Sequence, residues 1–185
     1  MWPVRHGATE WSTVGRHTGR TDVALTAEGE AQARRLGEVL AGQRFGLVLV
    51  SPLGRARRTC ELAGFGGEAV VDTDLVEFDY GDYEGLTTAQ IRERVRGWTI
   101  WSGTCPGGET LAEVSARADR VIERVHASGA RDVALFAHGH VLRILAARWC
   151  GLDPVEGRCL SLDPATRSIL GWEHDYPTVR AWNEG

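Results

Sequence analysis

Val133-Ala134-Leu135-Phe136-Ala137-His138-Gly139-His140 is an apolar run of five residues cut off at once by two histidines around a glycine. A run without the alternation of a half-exposed strand reads as a strand covered on both faces. Such a strand needs helices above and below it, so this short stretch already favours an α/β protein. The same shape recurs upstream. Leu47-Val48-Leu49-Val50 ends at Ser51-Pro52, and Trp2-Pro3-Val4 ends at Arg5-His6-Gly7, with Pro3 making that first strand short.

Helical patterns fill the intervals. Thr26 can cap a helix carrying Ala33, Leu36, Val39 and Leu40 on one side until Gly42, after a glycine-rich polar segment that runs to Asp22. Arg55 to Ala63 reads as a helix after the second strand, and Ala69-Val70-Val71 as a further strand at an edge of the fold. Glu77 to Gly85 is an acidic, aromatic loop. Thr87 with Gln90 forms a capping box for a helix to about Arg96, and Thr110 with Glu113 forms another. The second box opens a helix whose Leu111, Val114, Ala118, Val121, Ile122 and Val125 make one apolar stripe ending near Gly129. A last helix through Leu142, Leu145 and Trp149 stops at Gly151, and the tail from Arg158 to Trp182 alternates like short strands. Strands alternating with helices predict a mostly parallel sheet between two helical layers, with ligands bound beyond the carboxyl ends of the strands. His6 and His138 both stand at such ends.

The 185 residues suffice for a single domain, 1–185, without repeat, linker or low-complexity tract. With 43% apolar and 25% charged residues and no apolar run near the ~20 that span a membrane, the composition is that of a soluble protein. No secretion signal opens the chain, so a cytoplasmic setting is expected. The net charge of -4, with both signs mixed along the chain, speaks against nucleic acid as a partner. All cations are arginine; without lysine, Schiff-base chemistry and Walker-type phosphate loops are excluded. Cys60, Cys105, Cys150 and Cys159 are widely spaced and suit reduced packing residues.

Phosphoryl transfer needs an in-line acceptor, positive partners for three equatorial oxygens and a proton for the departing oxygen. His6 can be the nucleophile, Arg5, Arg55 and His138 the clamp, and Glu77 the acid. Other readings of these residues are weaker. His138 and His140 with Asp79 or Asp82 could in principle hold a metal, but residues two apart at a strand end point different ways. Trp98 and Trp101 fit packing better than sugar stacking, and Arg92, Arg94 and Arg96 fit a wet helix face.

In order along the chain stand Arg5-His6-Gly7-Ala8-Thr9, Ser51-Pro52-Leu53-Gly54-Arg55-Ala56-Arg57-Arg58-Thr59, Glu77 to Gly85, Pro106 to Thr110, and Ala137-His138-Gly139-His140. These five blocks resemble those of the histidine phosphatase superfamily, whose fold is phosphoglycerate mutase-like, a three-layer α/β/α arrangement around a mostly parallel central sheet. Thr9-Glu10-Trp11-Ser12, Thr18-Gly19-Arg20-Thr21-Asp22, Asp79-Tyr80-Gly81-Asp82-Tyr83, Trp98-Thr99-Ile100-Trp101 and Gly139-His140-Val141-Leu142-Arg143 resemble the branch of sedoheptulose-1,7-bisphosphatase-like enzymes and bacterial acid phosphatases. The resemblance implies a phosphohistidine on His6, a phosphoryl group held by Arg5, Arg55 and His138, and Glu77 as acid and then base, with no cofactor and no metal. It further implies substrate contacts from His17, Ser51, Arg143 and His174, and from Ser12, Thr18 and Gly19 in the branch-specific blocks. Many relatives have asparagine at the place of Ser12, so here a hydroxyl would make that contact.

The expected partner is a small phosphorylated metabolite, with sedoheptulose bisphosphate the first candidate and other sugar phosphates close behind; a homodimer is compatible with the sequence. Two rivals stay open: a mutase, which must shield its phosphoryl group from water, and a binding module that holds phosphate without turnover.

Overall fold

The computed structural model describes residues 1–185. Six strands, β1 (Trp2–Arg5), β2 (Leu47–Val50), β3 (Ala69–Val71), β4 (Val133–Ala137), β5 (Arg167–Glu173) and β6 (Tyr176–Glu184), form one sheet in the order β3-β2-β4-β1-β5-β6. The first four run parallel to one another, while β5 and β6 are antiparallel. The tail is therefore one long hairpin of seven- and nine-residue strands rather than several short ones. Arg158 lies before it, in a 3-10 turn over Pro154–Cys159.

The helices are α1 (Glu10–Thr13), α2 (Ala27–Leu40), α3 (Gly54–Leu62), α4 (Thr88–Arg94), α5 (Leu111–Ala127) and α6 (Gly139–Trp149). Capping boxes open α4 at Thr87 with Gln90 and α5 at Thr110 with Glu113, as the sequence predicts. The helix expected to reach about Arg96 ends at Arg94, because Val95 turns extended and Gly97 takes a positive φ of 75°. Helix α1 lies inside the segment expected to be an irregular loop. Its four residues are too few to show a period, and only its capping box of Thr9 with Ser12 marks it.

Alternate residues of the central strands feed two separate cores. Val4, Val48, Val50, Ala134 and Phe136 pack with Leu36 and Leu40 of α2 and Ala56 and Cys60 of α3. Leu49, Val133, Leu135 and Ala137 face the other way, onto Val114, Ala118 and Val121 of α5 and Val141, Leu142 and Leu145 of α6. Both faces are covered, as the continuous apolar runs demand. No helix is long and apolar enough to cross a membrane.

Pro3 sits in a central strand, where a missing N–H would normally break the ladder. The alternation explains its tolerance. His6 N donates to Ala137 O on the β4 side and Arg5 N donates to Thr166 O on the β5 side, so the nitrogen of Pro3 faces β5. There the register holds a single residue pair, Val4 with Arg167, whereas four pairs join β1 to β4. The absent donor thus falls on the sparse side of the strand.

Behind the first strand the chain approaches α2 very closely. A Cβ on Gly7 would lie 2.3 Å from the carbonyl oxygen of Gly29, and one on Gly29 would lie 2.1 Å from that of Ala8. Both contacts are with backbone, which cannot move aside, so glycine is required on each side of the crossing. Gly29→Ala gains about 1 kcal/mol of helix propensity yet forces α2 off the His6 loop. A net loss of roughly 2 kcal/mol is expected, read as a fall of about 4–8 °C in Tm by calorimetry.

Candidate active site

The carboxyl ends of β1, β2 and β4 bring His6, Ser51 and His138 to one edge of the sheet. Arg5 and Ala137 are register partners, so the two histidines that follow them are neighbours, with ring centroids 5.1 Å apart. His6 is 5% exposed. Its Nδ1 lies 2.7 Å from the carbonyl oxygen of Gly7. A carbonyl only accepts, so Nδ1 carries the proton and Nε2 keeps a free lone pair. Burial pushes the imidazole well below its ordinary pKa, and the guanidinium groups of Arg5 and then Arg55 push it further the same way. The ring is neutral in neutral solution.

Arg55, fully buried on α3, donates from Nε to His138 Nδ1 at 3.1 Å, from Nη1 to Thr21 O at 2.8 Å, and from Nη2 to Thr18 O at 3.0 Å and Gly19 O at 2.9 Å. Since Arg55 can only donate, His138 Nδ1 accepts and its Nε2 donates to Ser51 Oγ at 2.7 Å. Both ring nitrogens of His138 are therefore occupied. Arg55 and His138 stand one layer behind His6, outside the wall of the cavity that His6 lines. His138 could turn a donor toward a phosphoryl oxygen only by giving up Ser51, whereas Arg55 keeps a second Nη1 N–H outside these four bonds.

Glu77, in the loop after β3, is 4% exposed and rests on the start of α6. Its Oε2 accepts from His140 N at 3.0 Å, and its Oε1 from Val141 N at 3.0 Å and Phe78 N at 2.9 Å. The His140 and Val141 N–H groups are first-turn donors that the helix itself leaves unpaired. A Cβ on Gly139 would lie 3.4 Å from Arg5 Nε and 3.7 Å from Glu77 Oε2, so guanidinium and carboxylate both flank the bare first residue of that helix. Arg5 Nη1 donates to Leu162 O, and Arg5 Nε is buried without a partner. An arriving anion can satisfy that orphaned donor.

Arg5, His6 and Glu77 line one cavity of about 170 Å³ together with Ser12, Gly15, Arg16, His17, Thr18, Tyr80, Gly139, His140, Arg143 and Leu162. Of the expected substrate contacts, Ser12, His17, Thr18 and Arg143 lie on this wall. The Ser12 hydroxyl is engaged in the α1 cap, donating to Thr9 O and accepting from Thr9 N. Burial pushes His17 down to about 4, and its Nε2 sits 3.2 Å from Thr88 Oγ1.

Three expected contacts lie off this wall. Ser51 is fully buried and meets His138, not the cavity. Gly19 is buried too; its N donates to Glu84 Oε1 and its carbonyl accepts from Arg55, so it supports the wall from behind. His174 occupies the β5–β6 turn with φ 51°, and because β5 runs antiparallel from the site end of β1, that turn lies at the opposite edge of the sheet.

Tyr80 and His140 were not among the expected site residues. Tyr80 Oη and His140 Nδ1 are 2.6 Å apart on the cavity wall. Burial raises the Tyr80 hydroxyl well above its ordinary pKa and lowers His140 well below its own, so both are uncharged. Both lie in branch-specific blocks, and a histidine on the first turn of a helix at a sheet edge was the available signal. His138 and His140 do point to different partners, as expected of residues so placed. Trp98 packs as expected, 3% exposed with its edge on His17, while Trp101 lies under Arg143 at 4.6 Å and beside His140 at 5.4 Å.

The chain is 42% identical to an acid phosphatase of Mycobacterium tuberculosis over 174 residues, covering 92% of this chain and 85% of that protein. It is 40% identical to the sedoheptulose 1,7-bisphosphatase of Saccharomyces cerevisiae over 191 residues, covering 86% and 70%. The solved structure of an open reading frame product from Mycobacterium tuberculosis superposes with a TM-score of 0.94 at 39% identity, over 99% of this chain and 96% of that one. The family profile described as the histidine phosphatase superfamily (branch 1) matches residues 1–185, and it is to this superfamily that the chain belongs.

Proposed function

We propose that this phosphatase hydrolyses the phosphomonoester of a small sugar phosphate through a phosphohistidine on His6. The observation that carries the reading is the hydrogen bond from His6 Nδ1 to Gly7 O, which leaves Nε2 unprotonated in the wall of a cavity shared with Arg5 and Glu77. His6 Nε2 attacks phosphorus, the bond from phosphorus to the ester oxygen breaks, and Glu77 gives that oxygen its proton. Water then attacks the phosphoryl group, Glu77 takes its proton, and the phosphorus–nitrogen bond breaks to return neutral His6 and inorganic phosphate. Arg5 offers its unpartnered Nε to the phosphoryl oxygens, while Arg55 and His138 support His6 from behind with charge and position. All positive charge in the reaction comes from guanidinium groups, and no metal is needed.

About 170 Å³ accommodates a phosphoryl group and the first few carbons of its ester, well under the volume of a typical drug-sized pocket. The rest of the substrate then lies outside this cavity, whose lining includes the cations Arg16 and Arg143. The likeness to a sedoheptulose bisphosphatase and an acid phosphatase supports a sugar phosphate, with sedoheptulose bisphosphate the first to test.

His6→Ala should lower phosphate release by at least ~10³-fold and abolish the acid-labile, base-stable phosphate that labelled substrate leaves on the wild type. Wild-type turnover by that variant would overturn the mechanism. A panel of phosphate esters assayed with a chelator present should show sugar phosphates turned over at an undiminished rate. Isomerisation of 3-phosphoglycerate without phosphate release would point to a mutase instead, and saturable binding without any release to a binding module.

The histidines also set a pH dependence of stability. His6, His17, His138 and His140 all have folded pKa values below the ordinary 6.5 of an unfolded chain. Below 6.5 the unfolded chain binds protons that the folded one refuses, so stability is full above that pH and falls as acid is added. Each histidine contributes a slope of about 1.4 kcal/mol per pH unit until its folded pKa is reached. Urea midpoints measured from pH 7.5 to pH 5 should fall, and fall less steeply in His17→Gln.

A further inference from the structure

We infer that Arg117 and Glu109 are positioning residues for Glu77, an inference that rests on Glu77 being the acid of the proposed reaction. Glu77 stands on an irregular stretch between two 3-10 turns, Thr73–Leu75 and Gly81–Tyr83. A loop carboxylate that must meet a leaving oxygen needs its backbone held as well as its side chain. The hydrogen bonds from α6 hold the carboxylate. The backbone is held from α5.

Arg117 is 6% exposed, and its guanidinium uses all five N–H groups on this segment and its brace. Nη1 donates to Asp74 O at 2.7 Å and Val76 O at 2.8 Å, and Nη2 to Glu77 O at 3.2 Å. The remaining two, from Nε and Nη2, go to the two oxygens of Glu109, each at 2.8 Å. Glu109 in turn accepts from Asp79 N at 2.9 Å, and Glu109 N donates to Asp79 O at 2.9 Å. One buried ion pair therefore grips the chain on both sides of Glu77, from Asp74 to Asp79.

Apolar residues of like volume often replace a buried ion pair without loss of stability. Here they would leave three carbonyls and an N–H without partners, so the pair answers a geometric need. The contrast with its neighbours sharpens the point. Arg120 and Arg124, 53% and 44% exposed, bind the carboxylates of Asp72 and Asp74 and none of the backbone groups beside Glu77.

The test compares Arg117→Lys, Glu109→Gln, Glu77→Gln and, as a control, Arg120→Lys. Each is assayed for kcat and KM on aryl phosphates from p-nitrophenyl to phenyl, and on glycerol phosphate. Lysine keeps the charge of Arg117 but cannot span the five acceptors. A displaced acid matters most for poor leaving groups. Arg117→Lys and Glu109→Gln should thus lose about 10-fold or more in kcat on glycerol phosphate and less than about 3-fold on p-nitrophenyl phosphate, with KM nearly constant. Adding Arg117→Lys to Glu77→Gln should bring no further skew, and Arg120→Lys should show none. Should Arg117→Lys fail to fold by circular dichroism, Glu109→Gln decides alone. An equal loss on every ester, beside a skewed Glu77→Gln, would overturn this inference and spare the acid assignment. An unskewed Glu77→Gln would overturn both.

Discussion

The pairing of β1 with β4 is the contact on which the site depends. Parallel strands end together at one edge of a sheet, and the partnership of Arg5 with Ala137 sets the residue after each side by side. His6 and His138 meet for that reason, 132 positions apart in the chain. A slip of β1 by one residue would turn Arg5 and His6 to the opposite faces of the sheet while leaving His138 in place. The crossing of Gly7 and Gly29 reinforces the register, since the loop after β1 fits only against a helix that carries no side chain there.

Around this pairing lies an unusual density of buried charge, and each group is matched by backbone as much as by counter-charge. Arg55 rests on three carbonyls and His138, Glu77 on the first turn of α6, and Arg117 on three carbonyls and Glu109. A buried charge left unmatched costs several kcal/mol, so these partners are conditions for folding at all. The same conditions serve the chemistry. Burial, and then the guanidinium groups of Arg5 and Arg55, keep the His6 imidazole neutral, which is the state the proposed nucleophile needs, and the Arg5 Nε–H stays unpartnered. His17, Tyr80 and His140, which line the same cavity, are uncharged as well.

Much of this was legible beforehand. Continuous apolar runs marked β2 and β4, capping boxes marked α4 and α5, and polar residues at strand ends marked His6 and His138. The four residues of α1 carried no period, and the tail showed alternation without showing that it forms a single hairpin. The placing of the expected substrate contacts was not legible, because resemblance names a residue without saying which way its side chain faces. Ser51 turned inward to His138, and His174 went to the far edge of the sheet.

Sequence alone determined the layers, the two-sided burial of the sheet, the arginine-only cation chemistry and the identity of the residues at the strand ends. Those follow from local pattern and composition, which act over a few residues. Tertiary structure decided which of those residues share a cavity, which stand behind it, that Tyr80 and His140 complete the wall, and that Arg117 and Glu109 hold the Glu77 loop. Such relations depend on strand order and on the direction in which each side chain leaves its element. Both are set by contacts between residues far apart in the chain, and no short stretch of sequence contains them.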